Sequence, residues 1–94
     1  MSQFYIYIMT CKNNTVLYTV VTRDLKKRTY EHRSQESEGF TKRYNLTKLV
    51  YYEVLNDPID AITREKQIKA GTRARKIALV RGFNPGWADL YDRI

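Results

Sequence analysis

The sequence predicts an α+β fold: a small three-stranded sheet, mixed or antiparallel, flanked by helices in the order β-β-α-β-α-α. Three observations predict it. Two runs of β-branched and aromatic residues, 4–9 and 15–21, are separated by little more than Cys11-Lys12-Asn13-Asn14. A third run of the same kind fills 46–55. The C-terminal part of the chain divides into two helical stretches punctuated by Asp57-Pro58, Gly71-Thr72 and Gly82. Ninety-four residues suffice for one domain, 1–94, with a single core. A hydrophobic content of 43% beside 29% charged residues describes a globular chain and excludes a disordered one.

Phe4-Tyr5-Ile6-Tyr7-Ile8-Met9 is too short and too rich in β-formers for a helix. Strand alternation puts Phe4, Ile6 and Ile8 on one face and Tyr5, Tyr7 and Met9 on the other. Asn13 and Asn14 suit the turn, because asparagine tolerates positive φ. The returning strand carries Val16, Tyr18 and Val20 on one face, with Tyr7 opposite or diagonal to Tyr18, close enough to share a site. Thr22 is the expected N-cap of a helix reaching about Ser34, with Asp24 near its positive end. At 3.6 residues per turn Leu25, Thr29 and His32 form one stripe, with Arg28 at its edge. Residues 34–45 are polar, contain Gly39 and read as a loop. After the third strand, Asp57 caps a helix with Pro58 in its first turn, where a missing N–H costs nothing. Gly71 is its expected C′ residue. Thr72 opens a last helix that Gly82 ends, and Trp87, Leu90 and Tyr91 are expected to fold back onto the core.

The formal charge is +7 and the pI near 9.7, which points to a polyanionic partner. The charge is uneven: residues 64–81 carry seven bases and one acid, Glu65. Arg73, Arg75 and Lys76, opening the last helix, are the expected phosphate contacts. The single cysteine, Cys11, excludes an internal disulfide and a cysteine-cluster zinc site. With no apolar run of membrane-span length and no signal-like N-terminus, the expectation is a cytoplasmic protein without membrane association.

Glu65 falls near the middle of the stripe formed by Ala61, Ile62 and Ile68. A carboxylate there needs a partner, because burying one alone costs several kcal/mol. Two partners fit the spacing: a base such as Lys69, or a hard cation, magnesium above all. Arg28 and His32, at i and i+4, can reach one point above their helix. Ordinary readings exist for each: a solvated Arg28, a hydrogen-bonded core His32, and two strand tyrosines among eight in the chain.

Taken together, Tyr5-Ile6-Tyr7, Tyr18-Thr19-Val20, the segment from Asp24 to His32 with Arg28, and Arg64-Glu65-Lys66-Gln67-Ile68-Lys69 resemble the motifs of the GIY-YIG nuclease superfamily. Gly39-Phe40-Thr41, Leu49-Val50-Tyr51-Tyr52-Glu53 and Asn84-Pro85-Gly86-Trp87 extend the likeness to its small stand-alone bacterial members of uncharacterised function. The resemblance implies hydrolysis of a nucleic-acid phosphodiester, DNA ahead of RNA, with Mg2+ or Mn2+ and no small-molecule cofactor. It implies Glu65 as the metal ligand and Arg28 stabilising the phosphoryl oxygens. Tyr7 would be the general base, oriented by Tyr18 and His32, with His32 as the alternative base. Tyr5 and Val20 stand where the family's triplets have glycine. Val20 shares a face with Tyr18, so its isopropyl group would crowd substrate or metal. A binding module that kept the scaffold and lost turnover is therefore the alternative, and a protein-interaction domain the third reading.

Overall fold

The computed structural model describes residues 3–36 and 39–94. Its elements are β1 (Phe4–Thr10), β2 (Leu17–Thr22), α1 (Leu25–Arg33), α2 (Phe40–Arg43), β3 (Lys48–Leu55), α3 (Pro58–Ala70) and α4 (Arg73–Phe83), with a final 3-10 turn at Tyr91–Arg93. The sheet order is β2-β1-β3 and both pairings are antiparallel, so of the two sheet types expected the antiparallel one is present. Asn14 takes φ 60° in the hairpin turn. The resulting register sets Tyr7 opposite Val20 and Met9 opposite Tyr18, making Tyr7 and Tyr18 diagonal neighbours.

Alternation along β1 divides the core in two. Ile6 and Ile8 pack with Val50, Tyr51, Ile68 and Val80 on one face, beneath α3 and α4. Tyr7 and Met9 pack with Leu25, Leu46, Leu49 and Leu90 on the other, beneath α1 and the C-terminal segment. A bulge in β3 makes the first cluster possible. Ile8 pairs with Tyr51 and Met9 with Leu49, so Val50 is the extra residue. Strict alternation would send Val50 and Tyr51 to opposite faces; the bulge lets both face Ile8. Asn84 secures it, its side-chain amide donating to the Val50 carbonyl at 3.1 Å.

Several boundaries differ from the sequence reading. Asp24, not Thr22, caps α1, accepting the Lys27 N–H at 3.1 Å. The Thr22 hydroxyl instead accepts the Asp24 N–H, which ends β2 in a turn before the helix begins. The expected loop 34–45 contains the one-turn α2, entered through Gly39 at φ 92°; its positions 37 and 38 lie outside the described residues. β3 begins at Lys48, two residues later than expected. Asp57, Pro58 and Thr72 open α3 and α4 as expected. Gly71 ends α3 in an extended, not left-handed, conformation. A Cβ there would stand 3.3 Å from the Ile68 carbonyl oxygen, which explains the glycine without positive φ. Helix α4 runs through Gly82 to Phe83, where Asn84 takes the cap. Ile62, expected on the buried stripe, is exposed, and Ala61 and Ile68 alone bury that face of α3.

Candidate active site

Four of the residues singled out from the sequence meet on the α1 face of the sheet. Tyr7 is fully buried, and His32 is nearly so. The Tyr7 hydroxyl and His32 Nε2 lie 2.9 Å apart, and their rings tilt at 40°. His32 Nδ1 has no partner among the described residues although it is buried. The pair is thus one hydrogen bond short, whichever nitrogen carries the proton. Arg28, at the edge of the same helix stripe, is half-buried and bonds Glu31 at 2.7 Å. Tyr18 shares the cluster and stacks on Phe40, centroids 5.1 Å apart.

Burial governs how these groups titrate. It pushes the Tyr7 phenol up to about 12, an effect the nearby Arg28 guanidinium only partly offsets. Burial, and then Arg28, holds His32 below the ordinary histidine range. At neutral pH the phenol is therefore protonated and the imidazole neutral. A phenol perturbed in this direction is a poor base, whereas a neutral imidazole retains a lone pair for a proton. The phenol's place is beside the imidazole, as a hydrogen-bond partner.

Val20 lies directly across from Tyr7 and packs against the same cluster. This is the face anticipated from alternation, and the isopropyl group adjoins the phenol itself rather than only Tyr18.

Glu65 is carried by a different element. Its helix, α3, packs through Ile68 onto the Ile6 and Ile8 side of the sheet, the reverse of the Tyr7 side. The Glu65 side chain is only 16% exposed, and its Oε2 lies 3.4 Å from Lys69 Nζ. The ion pair named from spacing is thus present. The carboxylate also fits a hard divalent cation: such ions often take one carboxylate and fill the remaining positions with water and substrate oxygens. Among the described residues, no three His, Cys, Asp or Glu side chains gather into a ready-made cage. A cation at Glu65 would compete with the Lys69 ammonium for Oε2.

The basic residues opening α4 diverge. Arg73 reaches back to the hairpin turn, donating to the Asn14 carbonyl at 3.3 Å. Arg75 and Lys76 line a separate cavity of about 430 Å³ between α3 and α4, together with Arg64, Gln67 and Leu79.

Two groupings escaped the sequence reading. Arg64 grips Glu53 through Nε and Nη2, at 3.0 and 2.9 Å, while Tyr51 donates to the same carboxylate. Despite opposing burial, these bonds hold Glu53 below its usual range. Alternation within β3 puts Tyr51 and Glu53 two apart on one face, which was the available signal. The second is a run of three rings: Tyr18 on Phe40, then Phe40 against Tyr44 at 4.6 Å. The i, i+4 spacing of Phe40 and Tyr44 signals it once α2 is known.

Comparison with known proteins extends these findings. A family model described as the GIY-YIG catalytic domain matches residues 3–78. A UPF0213 protein of Staphylococcus saprophyticus is 35% identical over 80 residues, covering 85% of this chain and 96% of its own. One from Syntrophus aciditrophicus is 38% identical over 82 residues, covering 86% and 93%. The solution NMR structure of a UPF0213 protein from Bacillus halodurans superposes with a TM-score of 0.60 at 25% identity, covering 93% of this chain and 92% of that one.

Proposed function

Because the chain belongs to the GIY-YIG family, a nuclease family, we propose that it is a divalent-metal-dependent endonuclease hydrolysing nucleic-acid phosphodiester bonds. DNA is the favoured substrate, ahead of RNA, in a reducing cytoplasmic compartment that suits the free Cys11. The observation that carries the reading is the meeting of Tyr7, His32 and Arg28 at one place on the sheet. Stability alone does not call for a buried phenol–imidazole pair left one hydrogen bond short beside a guanidinium.

In this reading His32 is the base and Tyr7 the positioning residue that holds its ring. Arg28 keeps part of its guanidinium in solvent and donates to phosphoryl oxygens, a charge-assisted contact in the usual geometry of that group. Tyr18 borders the same face. Glu65 would hold Mg2+ or Mn2+, which when bound supplies positive charge to a phosphoryl or leaving oxygen.

The test is incubation with a panel of DNA and RNA forms and magnesium or manganese, comparing the parent with Glu65→Gln. Cleavage should disappear in the variant while circular dichroism and most of the nucleic-acid affinity remain. Equal cleavage by variant and parent, with contaminating nucleases excluded, would remove Glu65 from the mechanism.

A second reading, a binding module without turnover, is favoured by one observation. Tyr7 is fully buried with Val20 set against it, so substrate reaches the phenol only if side chains move. Salt-sensitive binding with no cleavage by either protein would select it.

A further inference from the structure

We propose that the aromatic steps formed by Phe40 and Tyr44, with the groove beside them, bind a single nucleic-acid strand by stacking its bases. The inference rests on the nucleic-acid reading above and adds which form of nucleic acid the surface takes. Phe40 is 44% and Tyr44 41% exposed, a large apolar area on a one-turn helix. Tyr18 backs Phe40 from within the sheet, so the outer rings are held in place. The Arg43 guanidinium lies 5.6 Å over the Tyr44 ring. Beyond Tyr44 opens a groove of about 640 Å³, with Tyr44 and Asn45 on one side and Lys12, Asn13, Thr15 and Val16 on the other.

Bases predominate in the segments that form this groove, although Glu36 follows Gln35, whose amide bonds Asn45 on the groove wall. Residues 11–22 and 39–50, which supply both walls, contain Lys12, Lys42, Arg43 and Lys48 and no aspartate or glutamate. Arg73 adds a further base at the hairpin turn through its bond to the Asn14 carbonyl. Exposed rings interleaved with bases match the chemistry of single strands, whose unpaired bases offer π-faces beside a phosphate backbone. A duplex hides those faces and offers only phosphates and groove edges. A strand lying here also passes Tyr18, which links the platform to the candidate active site.

The experiment is fluorescence anisotropy in EDTA with three labelled probes of equal phosphate number: an oligothymidylate, an abasic strand and a hairpin duplex. The parent should bind oligothymidylate about tenfold more tightly than the abasic strand. Phe40→Ala/Tyr44→Ala should erase that preference and leave duplex binding unchanged. Tyr44→Phe, which keeps the ring, should retain the preference, and thermal unfolding of each variant checks the fold. Equal affinity of the parent for the base-bearing and abasic strands, or a preference that survives the double alanine change, overturns the platform while nucleic-acid binding stands. Failure of the parent to bind any of the three probes overturns the nucleic-acid reading itself.

Discussion

The two faces of β1 are built from alternate residues of one strand, yet they obey different rules. Ile6 and Ile8 pack with aliphatic neighbours and the ring of Tyr51, and the charged group on their side, Glu53 opposite Ile6, is satisfied by Arg64 and Tyr51. One residue along, Tyr7 sits beneath a helix that contributes Leu25 but also Thr29, His32 and Arg28. Thr29 returns its hydroxyl to the Leu25 carbonyl at 2.7 Å, and Tyr7 and His32 satisfy each other only in part. The difference teaches where selection for something besides stability has acted. A polar network stabilises a fold only when fully satisfied, as it is around Glu53 and is not at His32.

Removing one large side chain from each face tests this contrast. Ile8→Ala should have the largest effect, a loss of about 2–5 kcal/mol in urea unfolding, because a fully buried aliphatic leaves a cavity. Tyr7→Phe keeps the ring and strands the His32 nitrogen, so about 1–3 kcal/mol is expected. Should Tyr7→Phe cost more than Ile8→Ala, the polar face would be the principal support of the fold and the contrast would fail.

Acidity sharpens the same comparison, because burial raises a phenol on each face, Tyr7 on one and Tyr51 on the other, while the lowered imidazole of His32 belongs to the α1 face. With His32 lowered in the folded state, the unfolded chain protonates first as pH falls below about 6.5. Stability should decline from there toward the lower folded value. Tyr7 acts at the other end: the unfolded phenol ionises first above about 10, and stability should fall as pH rises toward about 12. His32→Gln should remove the first decline and Tyr7→Phe should reduce the second, leaving the part that the Tyr51 phenol contributes, read as differences from the parent in urea midpoints across pH. Parallel pH profiles for parent and variants would show that neither group is perturbed by the fold.

Much of this architecture was legible because its causes are local. Alternation in 4–9 and 16–21 assigned the faces correctly, down to Val20 beside the site, and Asp57-Pro58 and Thr72 marked helix starts through cap chemistry that needs no tertiary context. The missing parts depend on distant residues. The Val50 bulge is held by Asn84, 34 positions away. Thr22 and Asp24 are both good caps, and the turn in which Thr22 accepts the Asp24 N–H leaves the cap position to Asp24. A four-residue helix at Phe40 is shorter than any hydrophobic period reveals. Glu65 shows the limit most clearly. Its place on the sheet-facing stripe of α3 was readable, but which side of the sheet that helix covers was not, and that side is opposite Tyr7.

The smallest change concerns Val20, the register partner of Tyr7 on the α1 face. Val20→Gly removes a partly buried isopropyl group and adds backbone freedom to an edge strand, together about 1–2 kcal/mol of stability. It also uncovers Tyr7, whose register partner Val20 is. If that residue closes the site, cleavage in magnesium or manganese should rise while the melting temperature falls, both measured on one preparation, with Val20→Gly/Glu65→Ala as the blank. The opposite signs matter, because a merely loosened protein would lose both. Uncovering also predicts a change readable without catalysis: the phenol, less desolvated, should titrate closer to 10 than to about 12 in ultraviolet difference spectra. A phenol that stays near 12 with unchanged cleavage would mean that α1 closes the pocket, and the contrast between the faces would then originate in the helix rather than in the strand.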